Sequence, residues 1–310
     1  MNKSLNSFTK TVLAAGITGA AAATWATVIE RNLFAVRQKE VAVLPSGAAP
    51  LRVAHISDLH LAPWQDRKID WLRQQASLQP DIVVLTGDLT GHKESIEAVR
   101  YALKPLIEAA ETTVFVHGSN DYYGPVFKNP LKYLKPHTAK KTKKQPDIDN
   151  DRLTAMLEDL GALNLNNRSA RSHVGEHEIE WLGLGDPHIK LDDTAALEAN
   201  LKENEISHQR GSALRFGVVH APYANSLNEL TDRGAQLIFA GHTHGGQLRI
   251  PGFGALTSNS DLPNAQARGL SVWYTAQNAA FLNVSAGLGT AITAPARFAC
   301  RPEISLLTLV

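Results

Sequence analysis

Two histidines one residue apart, His242 and His244, stand among glycines just after the apolar run Leu237-Ile238-Phe239-Ala240. Imidazoles at that spacing can face one metal ion or two adjacent ions, and a metal accounts for ring nitrogens that would otherwise need partners. Other apolar runs end in matching groups. Asp58 and His60 follow Leu51–Ile56, and residues two apart in extended chain point to one side. Asp88 follows Ile82-Val83-Val84-Leu85, beside a glycine that permits close backbone approach, which suits a ligand shared by two ions. Taken alone, Asp88 reads equally well as a helix N-cap. Gly118-Ser119-Asn120-Asp121 follows Val114-Phe115-Val116, and His220 follows Val218-Val219. Five strand ends thus bring Asp58, His60, Asp88, Asn120, His220, His242 and His244 to one sheet edge. Carboxylate and amide oxygens mixed with imidazoles suit Mn²⁺ first, with Fe or Zn²⁺ as alternatives. Two such ions about 3.5–4 Å apart polarise a phosphoryl oxygen and bridge a hydroxide for in-line attack, which is phosphate-ester hydrolysis. There is no G-x-S-x-G elbow and no P-loop, and Cys300 lies far from these motifs in sequence.

Positioning these groups falls to alternating strands and helices. Strands are expected at Leu51–Ile56, Ile82–Thr86, Thr113–His117, Ile179–Leu184, Arg215–His220 and Leu237–Ala240, and helices near Arg67–Leu78, Lys93–Ala110, Arg152–Leu160, Asp192–Glu203 and Ala224–Arg233. In the second helix Ile96, Val99, Leu103 and Leu106 recur at helical spacing. This is an α/β pattern of layered sheets covered by helices. After Gln247 the chain reads as strands and Gly-rich turns.

Composition narrows the class. Thirty-one basic against thirty acidic side chains give a net charge of +1, which argues against a protein that coats nucleic acid. One cysteine excludes an intrachain disulfide and any multi-cysteine metal site. The uncharged stretch Thr11–Ile29 is long enough to cross a membrane, with three readings open: an uncleaved signal-anchor, a cleaved signal peptide, or a buried or interfacial helix. The anchor is adopted here, with the side of the membrane undetermined because basic residues flank both ends. Residues 1–50 are therefore expected to be anchor and linker, and 51–310 a single catalytic domain. Seven lysines lie between Lys128 and Lys144. That loop reads as solvated chain or as a contact with anionic lipid headgroups.

The order D-x-H, G-D, a G-N-H-D-like run, H and G-H-T-H resembles the calcineurin-like metallophosphoesterase superfamily. GHTHGGQLRIP (Gly241–Pro251) and the tail SAGLGT…PARFACRPEISLLTL are similar to its membrane-associated bacterial branch, some members of which are described as phosphodiesterases or UDP-2,3-diacylglucosamine hydrolases. The resemblance covers residues 51–310 and implies a four-layer α/β/β/α sandwich with two metals at the strand ends. It implies that Asp58, His60 and His244 hold one metal, that Asn120, His220 and His242 hold the other, and that Asp88 bridges them. The family run Gly-Asn-His-Asp is here Gly118-Ser119-Asn120-Asp121. Aligned without a gap, Ser119 takes the ligand position; shifted by one, Asn120 does, and amide oxygen is the better donor. Asp88 and Asn120 are carried as catalytic positions. The usual histidine is missing, and loss of such an acid typically costs about 10²–10⁴-fold. His92, four residues after Asp88, is the first candidate to replace it, ahead of His55, His117 and His188. The implied function is hydrolysis of a phosphodiester or pyrophosphate, on a lipid-linked substrate at the membrane. The alternatives are a phosphodiesterase acting on soluble nucleotides and a non-catalytic metal-binding scaffold.

Overall fold

Short aliphatic runs, buried on both faces, form the inner strands of two six-stranded sheets. The computed structural model of the chain describes residues 2–125, 145–207 and 213–310, so the Lys128–Lys144 headgroup contact lies outside the described residues. The first sheet contains β1 (Ala35–Val41), β2 (Leu51–Ile56), β3 (Ile82–Leu85), β4 (Thr112–Phe115) and β5 (Leu163–Asn164). The second contains β6 (Ser169–Val174), β7 (His177–Gly183), β8 (Leu214–Val218) and β9 (Leu237–Ala240). A two-stranded hairpin, β10 (Arg249–Ile250) with β11 (Gly254–Ala255), precedes β12 (Gly269–Tyr274) and β13 (Ala279–Val284), which complete the second sheet. The last strand, β14 (Glu303–Leu309), returns to the first. The orders are β1-β14-β2-β3-β4-β5 and β12-β13-β9-β8-β7-β6.

Side-chain alternation along the strands sorts the core into three layers. Val53, Val84 and Val114 face Trp181, Phe216 and Phe239 between the sheets. Their sequence neighbours Ala54, Val83, Leu85 and Phe115 turn the other way. They pack under α2 (Asp66–Gln74), α3 (Ile96–Glu108) and α4 (Asn150–Asp159) through Leu72, Leu103 and Leu157. On the far side Leu182, Ile238 and Leu282 meet α5 (Thr194–Glu203) and α6 (Ala224–Asp232) through Leu197 and Leu230. The result is the α/β/β/α sandwich. Parallel pairing of β2, β3 and β4, and of β7, β8 and β9, sends their C-terminal ends to one edge, where the candidate ligands follow.

Two features differ from the sequence reading. Ala35–Val41, assigned to anchor and linker, is a strand inside the first sheet, paired in parallel over its whole length with β14. Its mixed sequence AVRQKEV gives no alternation that marks a strand, because as an edge strand it is largely exposed. The second difference is in the N-terminal helix. α1 (Asn2–Thr24) continues through a π turn, Trp25–Ile29, and a 3₁₀ turn, Glu30–Asn32. The stretch Thr9–Asn32 is long and apolar enough to cross a membrane and is almost wholly exposed. Its last turns dock on the domain, where the Arg297 N–H donates to the Ala26 carbonyl and the Ala299 and Cys300 N–H groups donate to the buried Glu30 carboxylate.

Candidate metal centre

Strand ends and tight loops position every group of the cluster. Five of the seven expected ligands have left-handed backbone: Asp58 (φ 49°), His60 (40°), Asp88 (52°), His242 (67°) and His244 (50°). Such conformations cost about 1–3 kcal/mol each and persist only where surrounding contacts dictate them. Here the loops brace one another. The Asp58 N–H donates to the Gly87 carbonyl at 2.9 Å and the His60 N–H to the Asp88 carbonyl at 2.9 Å. His242 N–H donates to Asp58 Oδ2 at 2.9 Å, tying the Asp-x-His loop to the His-x-His loop across the two sheets.

The side chains converge in two overlapping groups, Asp58 with His60 and His244, and Asp58 with Asp88 and His220. His60 Nε2 lies 3.3 Å from His244 Nε2, and His244 Nε2 lies 3.6 Å from Asp58 Oδ1. Asp88 Oδ2 is 3.4 Å from His60 Nε2 and 3.6 Å from His220 Nε2, so a single carboxylate oxygen faces both groups. Asn120 presents its amide to the same oxygen at 2.7 Å, while its backbone N–H donates to Asp88 Oδ1 at 2.7 Å. A half-turn of that amide would bring its oxygen to the same point. Asp121 is structural. Its Oδ1 accepts from the Leu89 and Thr90 N–H groups and its Oδ2 from the Gly118 N–H. Asn120, rather than Ser119, is therefore the residue that touches Asp88.

The donor set fits cations. Asp58 Oδ1 and His220 Nε2 are buried with no hydrogen-bond partner among the described residues, although both belong to groups that seldom go unsatisfied. Ring orientation leaves the right nitrogens open. His220 Nδ1 donates to the Thr86 carbonyl at 2.6 Å, so Nε2 is the nitrogen that faces the cluster and would bind a cation in place of its proton. Burial pushes His60 down to about 4 and His244 down to about 3, leaving both rings neutral at ordinary pH, as metal ligands must be. Burial also opposes charge on His220 and Asp88, but their mutual attraction wins: His220 is raised well above its ordinary value and Asp88 is held well below. The field that would retain a proton there also retains a cation. His242 belongs to neither group among the described residues: its ring centroid lies 5.2 Å from that of His220, and its Nε2 is 3.1 Å from the Asn259 carbonyl.

The other histidines separate cleanly. His55 is buried between Thr86 and Asn283, and His117 Nε2 meets Thr154 Oγ1 at 2.7 Å. His92 does not join the cluster. Its ring packs edge-on against Trp64, and its Nδ1 accepts from the Glu94 N–H. His188 does reach the site, its ring centroid 4.5 Å from that of His242 and its Nδ1 2.9 Å from the Tyr223 hydroxyl.

Asp186 and Tyr223 are absent from the sequence reading. Gly185-Asp186 follows the buried strand β7 just as Gly87-Asp88 follows β3, and that repeat was the available signal. Asp186 is fully buried. Burial raises its pKa to about 7, against the pull of His220 and with help from Asp88. Folded protein therefore binds a proton that unfolded protein releases near pH 4, so stability is lost as pH rises from about 4 to 7. Asp186→Asn keeps an oxygen for the His188 N–H that Asp186 Oδ1 accepts at 2.9 Å. In metal-free protein the variant is expected to gain about 1–3 kcal/mol on wild type between pH 5 and pH 7.5. Denaturant unfolding in detergent at both pH values measures this, and a pH-independent difference would contradict it.

Comparison with known proteins places the chain. The sequence profile described as calcineurin-like phosphoesterase matches residues 51–246, more than half of its length. The chain belongs to the calcineurin-like phosphoesterase family. This calcineurin-like phosphoesterase is 26% identical to phosphodiesterase YaeI of Escherichia coli (strain K12), over 91% of this chain and 90% of that protein. It is 27% identical to UDP-2,3-diacylglucosamine pyrophosphatase LpxG of Chlamydia trachomatis, with 91% of each chain covered. It is also 29% identical to a Bos taurus transmembrane protein with metallophosphoesterase domain, over 89% of this chain but only 57% of that protein. The phosphoesterase is thus a metal-dependent phosphoric ester hydrolase, in a family that uses divalent metals.

Proposed function

We propose that the enzyme holds two divalent cations, Mn²⁺ ahead of Fe or Zn²⁺, and hydrolyses a phosphodiester or pyrophosphate bond in a lipid-linked substrate at a membrane surface. Asp58, His60 and His244 would hold one ion and Asn120, His220 and His242 the other. The observation that carries the reading is Asp88 Oδ2, which stands 3.4 Å from His60 Nε2 and 3.6 Å from His220 Nε2, where one oxygen can serve both ions. Bound there, the pair supplies positive charge to the phosphoryl oxygens and activates water for in-line attack.

The chain's own groups do the rest. Asn120 and the Asp88 carboxylate fix each other through two hydrogen bonds, which holds the bridging group in place. His188, whose ring centroid lies 4.5 Å from that of His242 and whose Nδ1 meets the Tyr223 hydroxyl at 2.9 Å, would with Tyr223 supply the proton that a leaving oxygen needs. They take over the role first expected of His92. The lipid-linked reading draws on the exposed apolar helix Thr9–Asn32 and on LpxG, whose name records a diacylglucosamine substrate.

The test loads chelated full-length protein with Mn²⁺ and offers it bis-p-nitrophenyl phosphate, a soluble nucleotide diester and a lipid-linked pyrophosphate in vesicles. Hydrolysis is expected only with metal, and fastest on the vesicle substrate. In the same assay His188→Ala is expected to cost about 10²-fold or more and His92→Ala no more than about threefold. No turnover with any substrate at full metal loading would favour a binding scaffold, and preference for the nucleotide would remove the lipid assignment.

A further inference from the structure

The hairpin that follows the His-x-His loop carries an apolar tip for which the domain core has no use. β10 and β11 pair through Arg249 with Ala255 and Ile250 with Gly254, closing on Pro251-Gly252-Phe253. Within nine residues Leu248, Ile250, Phe253 and Leu256 all stand exposed, and Phe253 is 77% exposed. Four large apolar side chains together in water mark an interaction surface rather than chance.

Its position indicates what covers it. The Arg249 N–H donates to the Phe298 carbonyl at 2.9 Å, and one residue further on the Ala299 N–H donates to Glu30 Oε2 at 3.0 Å. Glu30 closes the apolar helix. The hairpin therefore sits against the segment that receives the end of the candidate membrane span. The metal centre is tied to the same place, because the Cys300 thiol donates to the His244 carbonyl at 3.4 Å while the Cys300 N–H donates to Glu30. Charge supports a lipid occupant. An open cleft of about 400 Å³ runs between the hairpin tip and Ala299, with Arg249 and Arg268 among its lining residues. Apolar side chains beside guanidinium groups, of which Arg268 lies 3.8 Å from the Glu303 carboxylate, suit acyl chains and anionic headgroups together.

We propose that residues 248–256 are a second membrane contact, which dips into the headgroup layer of an anionic bilayer and, with the apolar helix, holds the metal centre against the membrane. The inference rests on the membrane reading above, and it assigns which face of the catalytic domain meets lipid. Substrate would then enter from the bilayer rather than from bulk water.

The experiment reads depth rather than activity. Full-length protein is reconstituted in phosphatidylcholine–phosphatidylglycerol vesicles, with an environment-sensitive NBD probe on Phe253→Cys or, as control, on Tyr274→Cys. Tyr274 is exposed, and it pairs with Ala279 at the end of the sheet remote from the ligands. Cys300 is fully buried and stays unlabelled in folded protein. Lipids with a doxyl quencher high on the acyl chain are expected to quench the Phe253 probe about twofold or more and to leave the Tyr274 probe unchanged. Replacing phosphatidylglycerol by phosphatidylcholine should weaken the quenching. An unquenched Phe253 probe on protein that resists carbonate extraction overturns the contact while the anchor stands. A blue shift without quenching also overturns it, in favour of a second copy of the chain. Extraction by carbonate overturns the anchor itself and the contact with it.

Discussion

Asp88→Ala is expected to lower bis-p-nitrophenyl phosphate hydrolysis by about 10³-fold or more, the largest single-residue effect in the protein. Removing the carboxylate deletes the one oxygen that faces both His60 and His220. It also frees Asn120, whose side chain and backbone N–H both rest on Asp88. If the proposed pair of ions shares this carboxylate, its loss would forfeit several kcal/mol of transition-state stabilisation, and each 1.36 kcal/mol is about tenfold in rate. Metal content should fall with activity, so turnover and metal stoichiometry are measured on the same preparation. Asp88→Ala protein that keeps two ions and wild-type turnover would remove the site proposed here. Circular dichroism of the variant guards against reading misfolding as lost chemistry.

Gly87→Ala is expected to destabilise the enzyme by about 3 kcal/mol or more. Two costs add. Gly87 has φ +83°, a conformation that strains any residue with a Cβ, and an added Cβ there would overlap the backbone of His117 and Gly118. Those atoms belong to the loop that carries Asn120 and cannot swing aside as a flexible side chain could. Gly161 provides the comparison, because it has φ +89° with nothing within 4 Å of an added Cβ. Gly161→Ala should cost only the backbone strain, about 1–2 kcal/mol. Thermal unfolding of both variants separates strain from crowding, and equal losses would contradict the crowding argument.

Much of the architecture was legible because its signals are local. Ile82–Leu85 is short, aliphatic and followed by Gly-Asp, which reads as a buried strand ending at a site, and the structure has it so. Ile96, Val99, Leu103 and Leu106 recur at helical spacing and line the buried face of α3. Ala35–Val41 was not legible, since an edge strand of mixed polarity is defined by its partner, and β14 lies at the other end of the chain. His92 and His188 mark the same boundary within the site. Proximity in sequence to Asp88 favoured His92, but the chain turns it onto Trp64, whereas His188, which follows β7 about a hundred residues later, meets His242 after β9 of the same sheet. Asp186 shares the Gly-Asp pattern of Asp88, yet no metal cluster includes it among the described residues. Side-chain convergence, rather than pattern, separates a candidate ligand from a buried carboxylic acid.

The sequence by itself determined which residue types stand at the strand ends, and with them the metal-dependent phosphoester chemistry, since donor type and local spacing are properties of the chain. Tertiary structure alone decided that one Asp88 oxygen faces two clusters, that Asn120 rather than Ser119 attends it, and that the apolar helix ends beside the ligand loops. Each of these depends on contacts between segments tens to hundreds of residues apart. Such contacts also hold the backbones of five candidate ligands in left-handed conformations that local preference would not choose.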